Sequence, residues 1–159
     1  MRHTLEGLIP KARSQMELPD ELYERVAELS EQGNALMDGD DPAAALRVWS
    51  SALALLPPPR EQWEAHVWLS ASLGDAAFSL GNTAQAFEYF FDAMNGPDGQ
   101  VNPFILYRAG QCCEALGNRQ QALNLLVRAY ALDGEDVFNA DEEGGRLLAL
   151  LRQEALIPT

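Results

Sequence analysis

LSEQGNALMDGDDPAAALRVWSSALALLP (residues 29–57), SASLGDAAFSLGNTAQAFEYFFDAM (70–94) and LYRAGQCCEALGNRQQALNLLVRAYAL (106–132) align with one another without an internal gap. In each, a glycine (Gly33, Gly74, Gly110) is followed twelve residues later by an alanine (Ala45, Ala86, Ala122). Four residues on stands a large apolar side chain, Trp49, Phe90 or Leu126, and three further another alanine, Ala52, Ala93 or Ala129. A turn signal separates the halves each time, as DGDD, LGN and LGN. One pattern in three places means one supersecondary unit used three times. Small residues let two antiparallel helices approach closely, and the large residue is expected to fill the space against the next unit.

This order of small residue, turn, alanine, aromatic and alanine, closed in the first unit by Pro57, resembles the tetratricopeptide (TPR) signature. The resemblance implies an all-α fold: a TPR helical solenoid of three helix-turn-helix repeats with terminal capping helices. A single domain spans residues 1–159, with repeats at about 20–57, 60–97 and 103–134 and a C-terminal capping helix at about 141–156. The segment LEGLIPKARSQM (5–16) is expected to cap the other end, since solenoids need covered ends. Spacing is uneven: Gly33 to Gly74 is 41 residues and Gly74 to Gly110 is 36, against roughly 34 in the standard repeat. The first excess falls at PPPREQWEAHVW, so the first helix of repeat two should start early, near Arg60, behind the proline run. The second falls in the Gly/Pro/Asn loop NGPDGQVNP.

Composition agrees. Apolar residues make up 47% of the 159-residue chain, Ala and Leu dominate, and β-branched residues are scarce, a bias toward helix. Twenty-four acidic residues against eleven basic ones give a formal charge of −13, with Lys11 the only lysine. Such a body repels phosphate, which argues against nucleic acid or an anionic membrane as direct ligand, and attracts a basic partner. The start MRHTLEGLIPKARS has no apolar leader core and no stretch is long enough to span a bilayer, so the expected compartment is the cytoplasm. Cys112 and Cys113 are adjacent, which suits neither a disulfide framework nor a CxxC metal or redox motif.

In such arrays the first helices of successive repeats line a concave face. Taking Leu29, Ser70 and Leu106 as equivalent, the inward stripes read Ser30, Asn34, Met37 and Asp38, then Trp68, Ala71, Asp75, Phe78 and Ser79, then Phe104, Tyr107, Gln111, Glu114 and Ala115. The candidate partner-binding residues are Asn34, Met37, Trp68, Asp75, Phe78, Phe104, Tyr107, Gln111 and Glu114. This stripe is aromatic and acidic and contains no Lys or Arg, which argues against a clamp for a partner's carboxylate. Trp68, Phe78, Phe104 and Tyr107 read as apolar anchors, with Asp75 and Glu114 offered to a partner's Arg or Lys. Some of these aromatics are equally open to packing on the terminal helices.

Chemistry-bearing residues do not converge in the sequence. His3 and His66 lie in different elements without an HxxxH or HxxE arrangement, and His66 is expected at a surface or interface. No serine sits in a nucleophile elbow. Cys113 falls at a small core position, with Cys112 beside it partly buried, and neither has a positive neighbour in sequence. GEDVFNADEEG lacks regular D-x-D-x-D-G spacing and reads as a solvated helix start. The expectation is a non-enzyme with no cofactor and no metal.

A narrower likeness rests on residues 55–82, 96–118 and 125–138. Trp63, Glu64, Trp68, Gly74 and Asp75 form a WE…W…GD core, and Asn102, Pro103, Phe104, Arg108, Gly110 and Gln111 an NPF…R.GQC core. These resemble small acidic bacterial TPR proteins encoded beside Rhs-type and other polymorphic toxins. The chain departs from them at NADEEGGRLLALL, where the family continues with an acidic-Pro-aromatic segment. The resemblance implies an immunity protein that binds and neutralises a cognate toxin domain, with a basic partner attracted to the acidic face. The alternatives are a type III secretion translocator-type chaperone, also small, acidic and three-repeat, or a non-catalytic scaffold or homo-oligomer, pairing as a homo-dimer.

Overall fold

The computed structural model describes residues 18–159, and the sequence-derived N-terminal cap at 5–16 lies outside them. Among the described residues the chain is all-helical, with no strand. The α-helices are α1 (Asp20–Asp38), α2 (Pro42–Ala54), α3 (Glu64–Ser79), α4 (Thr83–Met94), α5 (Pro103–Ala115), α6 (Arg119–Asp133) and α7 (Gly144–Gln153). Each of α1 to α6 packs on the next, as three hairpins stacked in chain order.

The three hairpin turns are built alike. After α3, Leu80 N–H bonds to the Ala76 carbonyl (3.1 Å), Gly81 to Phe78 (3.0 Å) and Asn82 to Ala77 (2.9 Å). After α5, Leu116, Gly117 and Asn118 bond in the same order to Cys112, Glu114 and Cys113 (3.0, 3.1 and 2.9 Å). After α1, Gly39, Asp40 and Asp41 do so to Ala35, Met37 and Leu36 (3.0, 3.0 and 2.8 Å). These bonds satisfy the carbonyls a helix end leaves open, and they need one residue in the left-handed region. Gly81 (φ 81°) and Gly117 (φ 85°) take it without steric cost, and Asp40 (φ 63°) takes it in the first turn. Two of the three second helices then start on side-chain caps: Asp41 accepts from Ala44 N–H (3.2 Å) ahead of Pro42, and Asn118 accepts from Gln121 N–H (3.5 Å).

Within each hairpin the large residue rides on the glycine. A Cβ on Gly33 would overlap the Trp49 indole, one on Gly74 would lie 2.8 Å from the Phe90 ring, and one on Gly110 2.8 Å from Leu126. The sequence expectation set Trp49, Phe90 and Leu126 against the next unit; these contacts show each seated on the glycine of its own hairpin. Each is fully buried, as are Ala45, Ala86 and Ala122.

The linkers differ from one another. Arg60–Gln62 forms a separate 3-10 turn, and Trp63, in extended backbone, breaks it from α3, so the α-helix begins at Glu64 and not near Arg60. Trp63 Nε1 donates to the Pro57 carbonyl (2.7 Å), fixing the proline run. The second linker carries a 3-10 turn at Gly99–Val101, and Asn102 caps α5 by accepting from Ile105 N–H (3.1 Å). His66, expected at a surface or interface, is buried where α3 meets α4: its Nε2 donates to the Asp92 carbonyl (3.0 Å).

α3 lies at the centre and is buried on every side from Ala65 to Ala77. A helix surrounded by neighbours has no need of a polar stripe, which is why EAHVWLSASLGDAAFS lacks one. Beyond α6, Gly134 leads into a 3-10 turn (Asp136–Asn139), where Val137 and Phe138 are buried. Phe138 stacks edge-on to Tyr107 at 5.0 Å between centroids. α7 closes this end with Leu147, Leu148 and Leu151 buried. The expected cap at about 141–156 is thus a helix of 144–153 preceded by a 3-10 turn. No helix among the described residues is long and apolar enough to cross a membrane.

Candidate functional site: an acidic cleft over a buried arginine

Arg108 is the organising residue, and it sits where no basic side chain was expected. It belongs to α5, is 3% exposed, and its guanidinium lies 5.0 Å from the Phe78 ring centroid, 5.4 Å from Phe104 and 5.9 Å from Tyr107. Nη1 donates to Gln111 Oε1 (2.6 Å) and Asp141 Oδ2 (2.6 Å), while Nε faces Asp75 Oδ1 at 3.6 Å. A guanidinium tolerates burial where its planar faces meet aromatic rings and its edge meets carboxylates. Asp141 also accepts from Tyr107 Oη (2.7 Å) and Gln111 Nε2 (2.8 Å). One polar knot thereby joins α3, α5 and the segment leading into α7.

The carboxyls respond in opposite directions. Burial raises Asp141, but donation from Gln111, Tyr107 and Arg108, with the charge of Arg108, outweighs it and holds the group below its ordinary 3.8. Burial raises Asp75 above 3.8 by more than Arg108 lowers it. Linkage then gives the signs. Asp141 stabilises the fold above 3.8 and ceases to as pH falls below it, whereas Asp75 is protonated more readily in the fold than in the open chain and favours the acid side. Asp141→Asn is therefore expected to shrink the loss of stability between about pH 5 and about pH 3, read from urea midpoints at both. A drop as large as in the parent would remove Asp141 from the acid response.

Above the knot opens a cleft of about 420 Å³ lined by Phe78, Gln111, Glu114, Ala115, Asp141, Glu142, Glu143 and Arg146. Arg146 of α7 forms part of this lining. It holds Glu114 with Nη2 and Nη1 (2.8 and 3.2 Å) and Glu143 with Nε and Nη2 (both 3.1 Å). Hydrogen bonding to Arg146 lowers Glu114 below the usual carboxylate range, and the same bonds raise Arg146. Glu142 forms no ion pair among the described residues.

The sequence-derived residues divide into three groups. Phe78, Gln111 and Glu114 line the cleft. Asp75, Phe104 and Tyr107 lie beneath it around Arg108 and are buried, so Asp75 is spent on the protein's own arginine, not offered to a partner. Glu114 is likewise engaged, by Arg146. Asn34, Met37 and Trp68 are not among the cleft's lining. Met37 and Trp68 pack in the first hairpin's apolar cluster. Asn34 is buried, and Trp68 is 2% exposed with its Nε1 unpartnered among the described residues, whereas Trp49 Nε1 donates to the Ser30 carbonyl (3.1 Å).

Sequence reasoning missed Arg108, Asp141, Glu142, Glu143 and Arg146 as members of this site. Arg108 carried a usable signal: a lone charge with Gln111 one turn on, in the otherwise apolar PFILYRAGQCC. Asp141 carried none, and the GEDVFNADEEG run read as a solvated helix start instead supplies the knot's central acceptor.

Neither Asp141, saturated with donors, nor Asp75, sealed, is free to exchange a proton with a bound molecule. Nor is either thiol activated: burial pushes Cys112 up to about 12, despite the charge of Arg108, and Cys113 up to about 11. Both are expected to react with a thiol reagent on the order of a hundredfold or more slower in the folded chain than after denaturation. Equal rates would mean the third hairpin opens readily. No group of three or more His, Cys, Asp or Glu among the described residues is placed to hold a metal ion. No protein-family model matches this chain, and no curated protein is significantly similar to it.

Proposed function

We propose that the protein is a three-repeat TPR module that binds a basic partner protein through the cleft over Arg108, and that its role is to neutralise a bacterial toxin domain in the cytoplasm. The observation that carries the binding reading is the cleft itself: four carboxylates, from Glu114, Asp141, Glu142 and Glu143, around one aromatic wall at the end of a stacked hairpin array. Asp141 is neutralised from below by Arg108, so the excess charge lies at the Glu142–Glu143 rim, where a partner's cations meet it. Alike turns and three glycine seats support the repeat assignment. The toxin-neutralising role is supported by the resemblance at residues 55–82, 96–118 and 125–138 and by the overall charge of −13, which speeds encounter with a basic cleft. Capture of an extended apolar peptide, as by a translocator chaperone, is less well served, because Trp68, Phe104 and Tyr107 are buried.

The test is isolation of the tagged protein from its own host, identification of what accompanies it in near-equal amount, and growth rescue of cells expressing that partner. Charge reversal at Glu142 and Glu143 to Lys is expected to weaken the complex tenfold or more, and raised salt to weaken the parent complex steeply. Rescue undiminished by the double reversal would move the interface off this cleft, and a partner without toxicity would overturn the neutralising role.

A further inference from the structure

We propose that Arg146 occupies, within the protein's own structure, the place of an arginine from the partner, and that binding exchanges one guanidinium for the other. This deepens the cleft-binding reading and rests on it. Arg146 shows that the cleft is already shaped for a guanidinium: Glu114 receives its fork at 2.8 and 3.2 Å, and Glu143 receives a second pair at 3.1 Å each. Paired contacts of this kind match a guanidinium and not an ammonium. Arg146 is 49% exposed and Glu143 51%, with Glu114 at 25%, so solvent reaches both pairs and an incoming guanidinium can meet the same carboxylates as Arg146 leaves.

Exchange trades one forked pairing for another and gains twice. An incoming arginine would reach the same two carboxylates with its stem along Phe78 and Ala115, which the cleft leaves uncovered. The released Arg146 would then be free to meet an acidic group on the partner. Glu142, with no ion pair among the described residues, supplies charge that Arg146 alone does not balance. Arg146 thus keeps the cleft closed to weak cations and admits a residue that brings its own packing.

The experiment titrates blocked arginine (N-acetylated, C-amidated) into the isotope-labelled protein, following the backbone amides of Gln111 and Ala115 by NMR. Blocked lysine and blocked citrulline serve as controls. Arg146→Ala is expected to bind blocked arginine about tenfold more tightly than the parent, because the resident competitor is gone. Arg146→Gln, which keeps bulk and hydrogen bonding, should behave the same way, and an unchanged melting temperature separates this from unfolding. Glu114→Gln in the Arg146→Ala background should abolish the gain, and lysine and citrulline should bind weakly in every variant. Binding no tighter in Arg146→Ala and Arg146→Gln, or equal binding of lysine, overturns the proposal. The titration needs no partner, so it can succeed even where the toxin-neutralising reading fails, and the reverse outcome is equally distinguishable.

Discussion

Asp141→Ala is expected to lower the free energy of unfolding by about 3 kcal/mol, the scale set by removing one partner from a buried charge pair. Its Oδ2 accepts from Arg108 at 2.6 Å and Gln111 at 2.8 Å, and its Oδ1 from Tyr107 at 2.7 Å. Alanine would take from the Arg108 guanidinium, 3% exposed, its carboxylate partner at 2.6 Å and leave Asp75 at 3.6 Å among the described residues. At 3.6 Å Asp75 stands beyond good hydrogen-bond distance from Nε, so it compensates poorly. In a chain of this size the loss corresponds to a melting temperature lower by roughly 10 °C. The partial exposure of Asp141, 22% at the side chain, keeps the cost from rising further, since water can enter. Urea unfolding followed by circular dichroism measures it. A change under about 0.5 kcal/mol, the ordinary range for a surface substitution, would show the knot to be dispensable. The same variant should also loosen the α7 segment, seen as faster amide exchange at Leu147 and Leu148, since Asp141 is the knot's contribution from that segment.

Trp49→Ala should cost about 4 kcal/mol, within the span for deleting a fully buried aromatic side chain. The indole is 0% exposed, covers Gly33, and donates Nε1 to the Ser30 carbonyl at 3.1 Å. Truncation leaves a cavity between α1 and α2 and removes the indole's bond to a carbonyl that lies mid-helix in α1, where the helix's own N–H four residues on still serves it. The glycine gives an internal control. Gly33→Ala in the parent forces its new methyl into the indole and should cost about 2 kcal/mol by overpacking. In the Trp49→Ala background the three atoms nearest the new methyl are gone, and the same substitution should cost far less. A coupling of more than about 1 kcal/mol in this cycle establishes the seat, and additive costs would mean that α1 and α2 simply move apart. If the three hairpins are energetic repeats as well as geometric ones, Gly74→Ala with Phe90→Ala should couple likewise.

Much of the fold was legible because its determinants are local and repeated. Gly33, Gly74 and Gly110 sit one helix away from Trp49, Phe90 and Leu126, so short-range spacing fixed which residues meet. Turn chemistry was readable at LGN twice, where glycine marks the left-handed position; in DGDD that position falls to Asp40, not to the glycine beside it. The linkers were less legible: REQW looks helical in pattern, yet Trp63 turns extended because its indole is drawn to the Pro57 carbonyl. The candidate stripe named Phe78, Gln111 and Glu114 through helical periodicity alone. It failed for Tyr107 and Phe104, since periodicity tells which way a residue faces and not what lies on top of it.

What the sequence by itself determined is the set of helices, their pairing into three hairpins and the acidic character of the body, all consequences of spacing and composition. Tertiary structure alone decided the site. Asp141 lies 33 residues from Arg108 in the chain and 2.6 Å away in space. Arg146 meets Glu114 across a gap of 32 residues. Such pairs form because α7 folds back to cover the apolar end of the stack, where Leu147 and Leu151 are buried, and this carries the polar segment before it onto α5. Burial of those leucines is the driving force, and the position of the carboxylates is its geometric consequence, which no local pattern encodes.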